Sequence, residues 1–175
     1  MNFETVRFTE IPYVAIDVET TGFDSRWGHR ICEIALLKFL RGNVIDSLVS
    51  FVDPLRAISR GTTAITGITD SMIVGAPLFS DLYPWIISFI EDDPLVFHNA
   101  PFDLSFLRAE SQVAGGIWPS NLVVDTLRLA RKSGRFKNNS LSSVCGEFGI
   151  STLFHRATGD AWAAGKLLLN IIDIH

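Results

Sequence analysis

Residues 13–52, YVAIDVETTGFDSRWGHRICEIALLKFLRGNVIDSLVSFV, decide the first half of the fold. Within them, Tyr13–Val18, Ile31–Phe39 and Val44–Val52 are rich in β-branched and aromatic residues, which is typical of strands. The tight-turn sequence Arg41–Asn43 separates the last two stretches and predicts an antiparallel hairpin. We therefore expect the sheet to begin with a three-stranded antiparallel meander.

The pattern changes after this meander, where short apolar stretches alternate with apolar residues at helical spacing. Strands are predicted at 95–97 and 122–124, helices around 82–90 and at 101–113, 126–132, 140–148 and 159–172, and loops at 20–30 and 53–67. Strands that alternate with helices in this way form parallel βαβ units. The sequence therefore predicts an α/β fold with one mixed five-stranded sheet and helices on its faces.

Apolar stripes on two predicted helices indicate the faces that they bury. The stripe on the 101–113 helix contains Phe102, Phe106, Ala109 and Val113. The stripe on the last helix contains Ala164, Leu167, Leu168 and Ile171. We expect both helices to pack through these residues.

The composition of the 175-residue chain excludes several classes of protein. Apolar residues make up 47% and charged residues 19% of the chain, and the formal net charge is −4, which argues against intrinsic disorder. No apolar run approaches the roughly 18 residues of a membrane span, and the N-terminal segment lacks the apolar core of a signal peptide. Two cysteines, Cys32 and Cys145, are too few for a disulfide framework. We expect one domain over residues 1–175, buried free thiols, a cytoplasmic location and no membrane partner.

Acidic residues at the ends of predicted elements are the first indication of function. Asp17 and Glu19 point to the same side of an otherwise apolar strand, because strand side chains alternate. Asp103 lies in the first turn of one predicted helix, Asp160 lies at the start of another, and His155 lies in the loop before the latter. Taken singly, each has an ordinary explanation, since strands reach the surface and helix N-termini favour acids.

Taken together, the four carboxylates lie at element ends that this fold can bring to one edge of the sheet. Carboxylate oxygens are preferred ligands of Mg²⁺ and other hard divalent cations. Two such cations, about 3.5–4 Å apart, can stabilise the attacking and leaving oxygens of a phosphodiester. Histidine ordinarily titrates near neutral pH, so His155 is a candidate for accepting a proton from the attacking water.

The sequence resembles the DEDDh (DnaQ-like) group of 3′–5′ exonucleases, the family of the proofreading epsilon subunit of bacterial DNA polymerase III. Three ordered motifs carry the resemblance: IDVETTGFD with Asp17 and Glu19, HNAPFDLSFL with Asp103, and HRATGDA with His155 and Asp160. Further similarity at 66–73, 123–132 and 141–150 extends it over nearly the whole chain. The resemblance implies a ribonuclease-H-like sheet, in agreement with the pattern of strands and helices.

The resemblance also implies a catalytic role for each motif residue. Two Mg²⁺ or Mn²⁺ ions would be held by Asp17, Glu19, Asp103 and Asp160, with Asp17 bridging both. Glu19 would also lie close to the 3′ end of the substrate, and Asp103 would hold its ion mostly through water. Asp160 would bind the ion on the side of the nucleophile, and His155 would be the general base.

Residues near the first two motifs are candidates for binding the terminal nucleotide. They are Thr20, Thr21, Gly22, Phe23, Asn99 and Phe102. Gly22 allows a close approach of the backbone to a sugar or phosphate. Phe23 has two open interpretations, stacking on a base or packing on the core under its loop. Asn99 has two as well, a substrate contact and a simple helix cap.

One stretch reverses the net acidic charge of the chain. Its basic residues are Arg128, Arg131, Lys132, Arg135 and Lys137. No acid occurs between Asp125, which we interpret as a helix cap, and Glu147. The stretch predicts either a phosphate-binding surface for a single strand or a solvated helix face. The tryptophans that we interpret as packing residues are Trp27, Trp118 and Trp162.

Some features depart from the family pattern. Gly159 replaces a larger residue before the last motif aspartate and is expected to add flexibility there. Thr66 stands where many relatives have His, and the stretch between Lys132 and Ser140 is short and lacks a common proline. The chain ends just past its last predicted helix, without the tail that tethers the epsilon subunit to its polymerase. This favours an enzyme that works alone or associates through another surface.

The leading hypothesis is a metal-dependent 3′–5′ exonuclease that acts on single-stranded DNA ends, as in proofreading, with a DNA polymerase subunit as a candidate partner. Trimming of RNA 3′ ends is an alternative within the same chemistry, because the sequence does not decide which sugar is recognised. A second alternative is a non-catalytic module that binds nucleic acid or a polymerase. The full set of acidic ligands and His155 favours an enzyme over that module.

Overall fold

A computed structural model describes residue 8 and residues 10–172 of the chain. They form a five-stranded sheet in the order β3-β2-β1-β4-β5. The strands are β1 (Tyr13–Thr20), β2 (Ile31–Leu40), β3 (Asn43–Phe51), β4 (Leu95–Phe97) and β5 (Val123–Asp125). The first three pair antiparallel, whereas β4 runs parallel to β1 and β5 parallel to β4. The predicted meander followed by βαβ units is confirmed.

Helices flank this sheet throughout the described part of the chain. They are α1 (Arg60–Thr66), α2 (Phe79–Ile90), α3 (Ala100–Val113), α4 (Thr126–Ser133), α5 (Leu141–Glu147) and α6 (Ala157–Ile172), with 3₁₀ turns at Ser25–Trp27 and Asp70–Met72. The prediction of a loop at 53–67 is wrong at α1. This helix is too short to produce a periodic apolar pattern. Its ends are set locally, because the Ser59 side chain accepts a hydrogen bond from the Thr62 N–H and Gly67 adopts a left-handed φ of 73°.

The predicted hairpin between β2 and β3 has a two-residue turn. Arg41 and Gly42 have positive φ values of 51° and 74°. This turn type matches the right-handed twist of the strands that it joins. It therefore sets the antiparallel pairing of β2 and β3, whose register shifts once, between Lys38 and Phe39.

Strand β1 is buried on both faces, which determines where its acidic residues point. Val14, Ile16 and Val18 pack in a core cluster with α2 and α3. Tyr13 and Ala15 lie on the opposite face, against α6. Since Asp17 and Glu19 continue the second face, they point toward the end of the sheet where α6 begins.

Helix α6 lies unusually close to the sheet. The Tyr13 hydroxyl donates a 3.0 Å hydrogen bond to the Gly165 carbonyl, and the Tyr13 ring stacks on Phe39 with centroids 5.3 Å apart. A Cβ on Gly165 would overlap the Phe39 ring, so only glycine permits this approach. The close packing fixes the N-terminal turn of α6 beside β1.

The predicted apolar stripe of α6 is confirmed, whereas that of α3 is partly wrong. Val113 is 68% exposed. The buried face of α3 instead includes Leu107 and Glu110. Arg30 forms a bidentate ion pair with Glu110 at 2.6 and 2.7 Å, which makes a buried glutamate tolerable. Val113 is the last residue of α3, where the core no longer covers the helix face that it shares with the buried Phe106.

The remaining expectations concern thiols, membranes and the N-terminus. Cys32 and Cys145 are free and buried, as predicted. Within residues 10–172, no helix is long and apolar enough to cross a membrane. The N-terminal segment, on which the expected lack of a signal peptide depends, lies largely outside the described residues.

Candidate active site

Three carboxylates meet where β1 ends and α6 begins. Carboxylate oxygens of Asp17, Glu19 and Asp160 lie within 4.8 Å of one another. Asp17 and Glu19 alternate with core residues along β1, and Asp160 lies in the first turn of α6. One cation can bind an oxygen from each. The structure thus brings together three of the four predicted metal ligands.

The fourth predicted ligand, Asp103, adjoins this group from α3. It is buried in the first turn of that helix, and its Oδ1 accepts a 3.2 Å hydrogen bond from the Val18 N–H. Because β4 runs parallel to β1, the helix that follows β4 begins beside the end of β1. Asp103 therefore lies next to the three-carboxylate group, close enough for its charge to act on Asp17.

Burial raises the pKa of each of these carboxyl groups, and nearby carboxylates add to the effect. Burial, with smaller contributions from Asp160 and Glu33, raises the pKa of Glu19 from 4.5 to about 7. The pKa of Asp160 rises from 3.8 to about 6, mainly through burial. Burial also raises the pKa of Asp17 and of Asp103 well above the usual range, and for Asp17 the nearby carboxylates add to this effect. Without a cation, the group therefore retains protons near neutral pH.

The two carboxylate oxygens of Asp160 have different surroundings. Oδ2 accepts a 3.1 Å hydrogen bond from the His155 N–H, whereas Oδ1 is buried and has no hydrogen-bond partner. A buried polar atom without a partner costs roughly 1–3 kcal/mol, and more when it is charged. An unsatisfied oxygen within an all-carboxylate donor set fits a hard divalent cation.

His155 lies in the loop between α5 and α6, directly before the helix that carries Asp160. It is exposed and has a left-handed φ of 63°. Its charge lowers the pKa of Asp160, which opposes the effect of burial. The histidine is therefore at the edge of the carboxylate group and open to solvent.

Gly159 lets this loop lie against α6, and the expectation that it adds flexibility stays a prediction. It is buried, and a Cβ at this position would overlap the carbonyl oxygen of Leu153. The absence of a side chain lets the loop cross the first turn of the helix in contact with it. The glycine thereby fixes the path of the chain to His155.

Comparison with known proteins identifies the family. Residues 14–168 match the family model described as RNase_T: Exonuclease. The chain belongs to this exonuclease family. The DNA polymerase III PolC-type of Oceanobacillus iheyensis is 39% identical over 166 residues, which cover 94% of this chain and 12% of that protein. The corresponding protein of Thermotoga maritima is 33% identical over 168 residues, covering 95% and 12%.

The exonuclease chain spans about an eighth of the length of the curated relatives that it matches. Among solved structures, Exonuclease X in complex with 5′ overhanging duplex DNA has a TM-score of 0.75 at 24% identity and covers 92% of this chain and 91% of its own. Exonuclease I has a TM-score of 0.79 at 20% identity, covering 94% and 43%. These structural likenesses confirm the predicted ribonuclease-H-like fold. The family model confirms the prediction of an exonuclease.

In this exonuclease, the threonine hydroxyls at the end of β1 and in the loop that follows form hydrogen bonds within that loop. Thr20 Oγ1 donates a 2.6 Å hydrogen bond to the Gly22 carbonyl. Thr21 Oγ1 accepts a 3.1 Å hydrogen bond from the Arg30 N–H and lies 3.2 Å from His29 Nδ1. The His29 ring fills the space that a Cβ of Gly22 would occupy. The loop is therefore held rigid, and contact of Thr20, Thr21 and Gly22 with substrate stays a prediction.

Phe23 extends from this loop into solvent, with 84% of its surface exposed. Packing on the core is therefore the wrong interpretation, and base stacking stays a prediction. Phe23, Phe102 and Glu19 line a cavity of about 90 Å³, whose other wall includes Thr62 and Thr66. Thr62 is not predicted from the sequence, because α1 is too short to show a periodic apolar pattern.

Asn99 occupies the residue before α3 but does not cap it. Its φ is 87°, and its side chain makes no hydrogen bond to the first turn. Its own N–H donates to Asp125 Oδ1 at 3.1 Å. The same oxygen accepts hydrogen bonds from the Leu127 and Arg128 N–H groups, so Asp125 caps α4 as predicted. The exposed Asn99 side chain is thus free for a substrate contact.

The three tryptophans predicted to pack differ in burial. Trp118 is buried and Trp162 is half-buried, in agreement with the prediction. Trp27 is 79% exposed, so the packing interpretation is wrong for it.

Proposed function

We propose that residues 1–175 form a single 3′–5′ exonuclease domain that removes nucleotides from single-stranded DNA ends with two Mg²⁺ or Mn²⁺ ions. The observation that carries the proposal is the buried, unpartnered Oδ1 of Asp160 within a group of three carboxylates. Membership of the exonuclease family supports phosphodiester hydrolysis as the reaction. The proposed cytoplasmic location rests on the sequence alone.

Asp17, Glu19, Asp103 and Asp160 would hold the ions. When bound, the ions supply positive charge that stabilises the attacking and leaving oxygens of the phosphodiester. Asp17 is suited to a ligand shared between two ions, because both Asp103 and Asp160 act on its charge. Asp160 is suited to the side of the nucleophile, because its Oδ2 is tied to the backbone of His155.

His155 is the proposed general base. It must be neutral to accept a proton from the attacking water, and a positioned base contributes about 10²–10⁴-fold to a rate. Its exposure allows the proton to pass to solvent after each turnover. The loop that carries His155 lies against α6 at Gly159. This contact supports the role of His155, because a base must be held within hydrogen-bond reach of the proton that it removes.

Glu19, Phe23 and Phe102 are proposed to hold the terminal nucleotide at the cavity that they line. The exposed Phe23 ring can stack on a base, which is worth roughly 1–3 kcal/mol with little sequence preference. The neighbouring loop of Thr20, Thr21 and Gly22 would approach the sugar and phosphate, and Asn99 would contact the strand from the other side.

The relatives support DNA as the substrate and a polymerase as a partner. The similar curated proteins are named DNA polymerase III PolC-type, and Exonuclease X was solved with a DNA duplex that carries a 5′ overhang. We therefore propose removal of nucleotides at DNA 3′ ends in association with a DNA polymerase. Trimming of RNA 3′ ends is the alternative, and a digestion panel distinguishes the two.

A digestion panel tests the proposal. Single-stranded DNA, duplex DNA and RNA, each labelled at either end, would be incubated with Mg²⁺, Mn²⁺ or EDTA. We expect single-stranded DNA to shorten from its 3′ end, with release of mononucleotides, and a blocked 3′ end to resist. Preference for RNA would replace DNA as the substrate. Cutting of circular single-stranded DNA, or binding without cleavage, would contradict an exonuclease function.

A further inference from the structure

A groove of about 860 Å³ lies between α3 and α4, outside the carboxylate group. Its apolar lining includes Leu104 from α3 and Val124 from β5. The cations that line it are Arg108, Arg128, Arg131 and Lys132. Three of them belong to the basic stretch of the sequence, whereas Arg108 comes from another helix. The fold therefore gathers more positive charge here than the sequence alone indicates.

The four groove cations are exposed, and their charge is not balanced by partners. In the part of the chain that the structure describes, none of them forms an ion pair, unlike Arg30, Lys38 and Arg156. Asp125 also lines the groove, but its Oδ1 is occupied by backbone N–H groups. Unpaired like charges that line one groove repel one another. An anionic ligand would relieve this repulsion.

The positive surface continues from the groove toward the candidate active site. Arg131 also lines an adjoining cavity of about 520 Å³, together with Lys137 and Asn99. Asn99 directly precedes α3, whose first turn carries Asp103. The groove and the adjoining cavity thus form one basic track that ends beside the carboxylates.

We propose that this track binds the sugar-phosphate backbone of a single nucleic acid strand behind its reacting 3′ end. The proposal rests on the proposed exonuclease function and adds a second binding site to it. Cations on the rim can contact several successive phosphates, and the apolar lining can accept sugars and bases. Phosphate contacts of this kind supply sequence-independent affinity, as an exonuclease requires.

Binding in EDTA tests the track without depending on catalysis. Wild type would be compared with the variant Arg108→Gln/Arg128→Gln/Arg131→Gln/Lys132→Gln and with Arg41→Gln, which removes one charge at the β2–β3 turn. The probe is a fluorescent single strand of about 20 nucleotides, and the salt dependence of Kd is measured. At about 0.7 per phosphate contact, we expect the slope of log K against log salt to fall by about 2–3 in the quadruple variant. Arg41→Gln should leave the slope unchanged.

A kinetic comparison separates this proposal from the function on which it rests. Hydrolysis of the p-nitrophenyl ester of thymidine 5′-monophosphate reports the carboxylate site alone, because this substrate has no strand to reach the groove. We expect the quadruple variant to raise KM at least about tenfold for the long strand and to leave ester hydrolysis unchanged. If wild type hydrolyses neither substrate, the proposed exonuclease function is wrong. The binding measurement in EDTA still tests whether the groove binds a nucleic acid strand.

Two results would overturn the groove proposal. One is a wild-type Kd and salt slope in a folded quadruple variant, or in Arg131→Gln/Lys132→Gln should the quadruple variant not fold. The other is displacement of the strand by polyglutamate as readily as by unlabelled DNA of the same charge. That result would indicate that the groove binds an acidic protein instead of a nucleic acid strand.

Discussion

Arg156 forms a bidentate ion pair with Glu33 and thereby fastens the loop that carries His155 to strand β2. Its Nη2 lies 2.5 Å from Glu33 Oε1 and its Nε 3.1 Å from Oε2, which also accepts a 3.0 Å hydrogen bond from the Ala157 N–H. Glu33 is buried, whereas the neighbouring His155 is exposed. The ion pair with the buried Glu33 therefore positions the loop that carries His155, the exposed candidate for the general base.

Weakening this anchor should lower turnover more than substrate affinity. Arg156→Lys keeps the charge but loses the planar pair of donors, so the loop becomes less well positioned. We expect kcat for DNA cleavage to fall about tenfold with KM nearly unchanged, since a small misplacement of a catalytic group is costly. Steady-state kinetics on a single-stranded oligonucleotide measures both.

The control for Arg156→Lys is its stability, measured by urea unfolding. Arg156→Gln would leave Glu33 buried without its partner and should cost about 3–5 kcal/mol. Arg156→Lys should cost clearly less. A fully active Arg156→Lys enzyme, or a loss confined to KM, would show that the ion pair does not position His155.

Gly159 should be intolerant of any side chain. Gly159→Ala places a methyl group where the Leu153 carbonyl lies, so the loop must move. We expect lower stability and a lower kcat together. The matched control is Gly146→Ala in α5, where nothing lies within 4 Å of the new methyl group and alanine should stabilise the helix by about 0.5–1 kcal/mol. Equal behaviour of the two variants would contradict the proposed contact.

The sequence predicts the carboxylate group because local pattern determines each of its parts. Alternation along β1 fixes the side of Asp17 and Glu19, and helix starts place Asp103 and Asp160. The Glu33–Arg156 pair could not be predicted in the same way, since its partners are 123 residues apart and each is ordinary alone. Likewise, Arg108 joins the basic stretch only because α3 and α4 both line the groove along β5.

The metal-free protein should lose stability as pH rises from about 5 to about 8. The pKa of Glu19 is raised to about 7 and that of Asp160 to about 6 in the fold, above their values in an unfolded chain. Stabilisation from such groups is present below the unfolded pKa and is lost as pH passes the folded pKa. At about 1.4 kcal/mol per pKa unit, Glu19 alone accounts for about 3 kcal/mol.

Thermal unfolding in EDTA across this pH range measures the effect. Asp17→Asn removes a titratable group whose pKa is raised in the fold and should flatten the pH dependence. Asp92→Asn, at an exposed residue in the turn after α2, should not. Stability that stays level or rises between pH 5 and 8 in wild type would show that burial and nearby charge do not raise the pKa values of these carboxyl groups as described.

Removing the proposed general base should affect rate without affecting metal binding. We expect His155→Ala to lower kcat by about 10²–10⁴-fold, because water must then act as the base. Calorimetry should find Mn²⁺ affinity little changed, since all four proposed ligands are carboxylates. A loss of metal affinity in proportion to rate would make His155 a ligand.

The dependence of strand cleavage on divalent cations tests the central claim most directly. Release of the 3′ nucleotide would be followed in wild type, Asp160→Asn and Asp92→Asn, each in EDTA and across a Mg²⁺ or Mn²⁺ titration. We predict no cleavage in EDTA, full recovery with metal in wild type and Asp92→Asn, and none in a folded Asp160→Asn. Cleavage that persists after thorough chelation, or a fully active Asp160→Asn enzyme, would contradict the assignment of the carboxylates as the metal site.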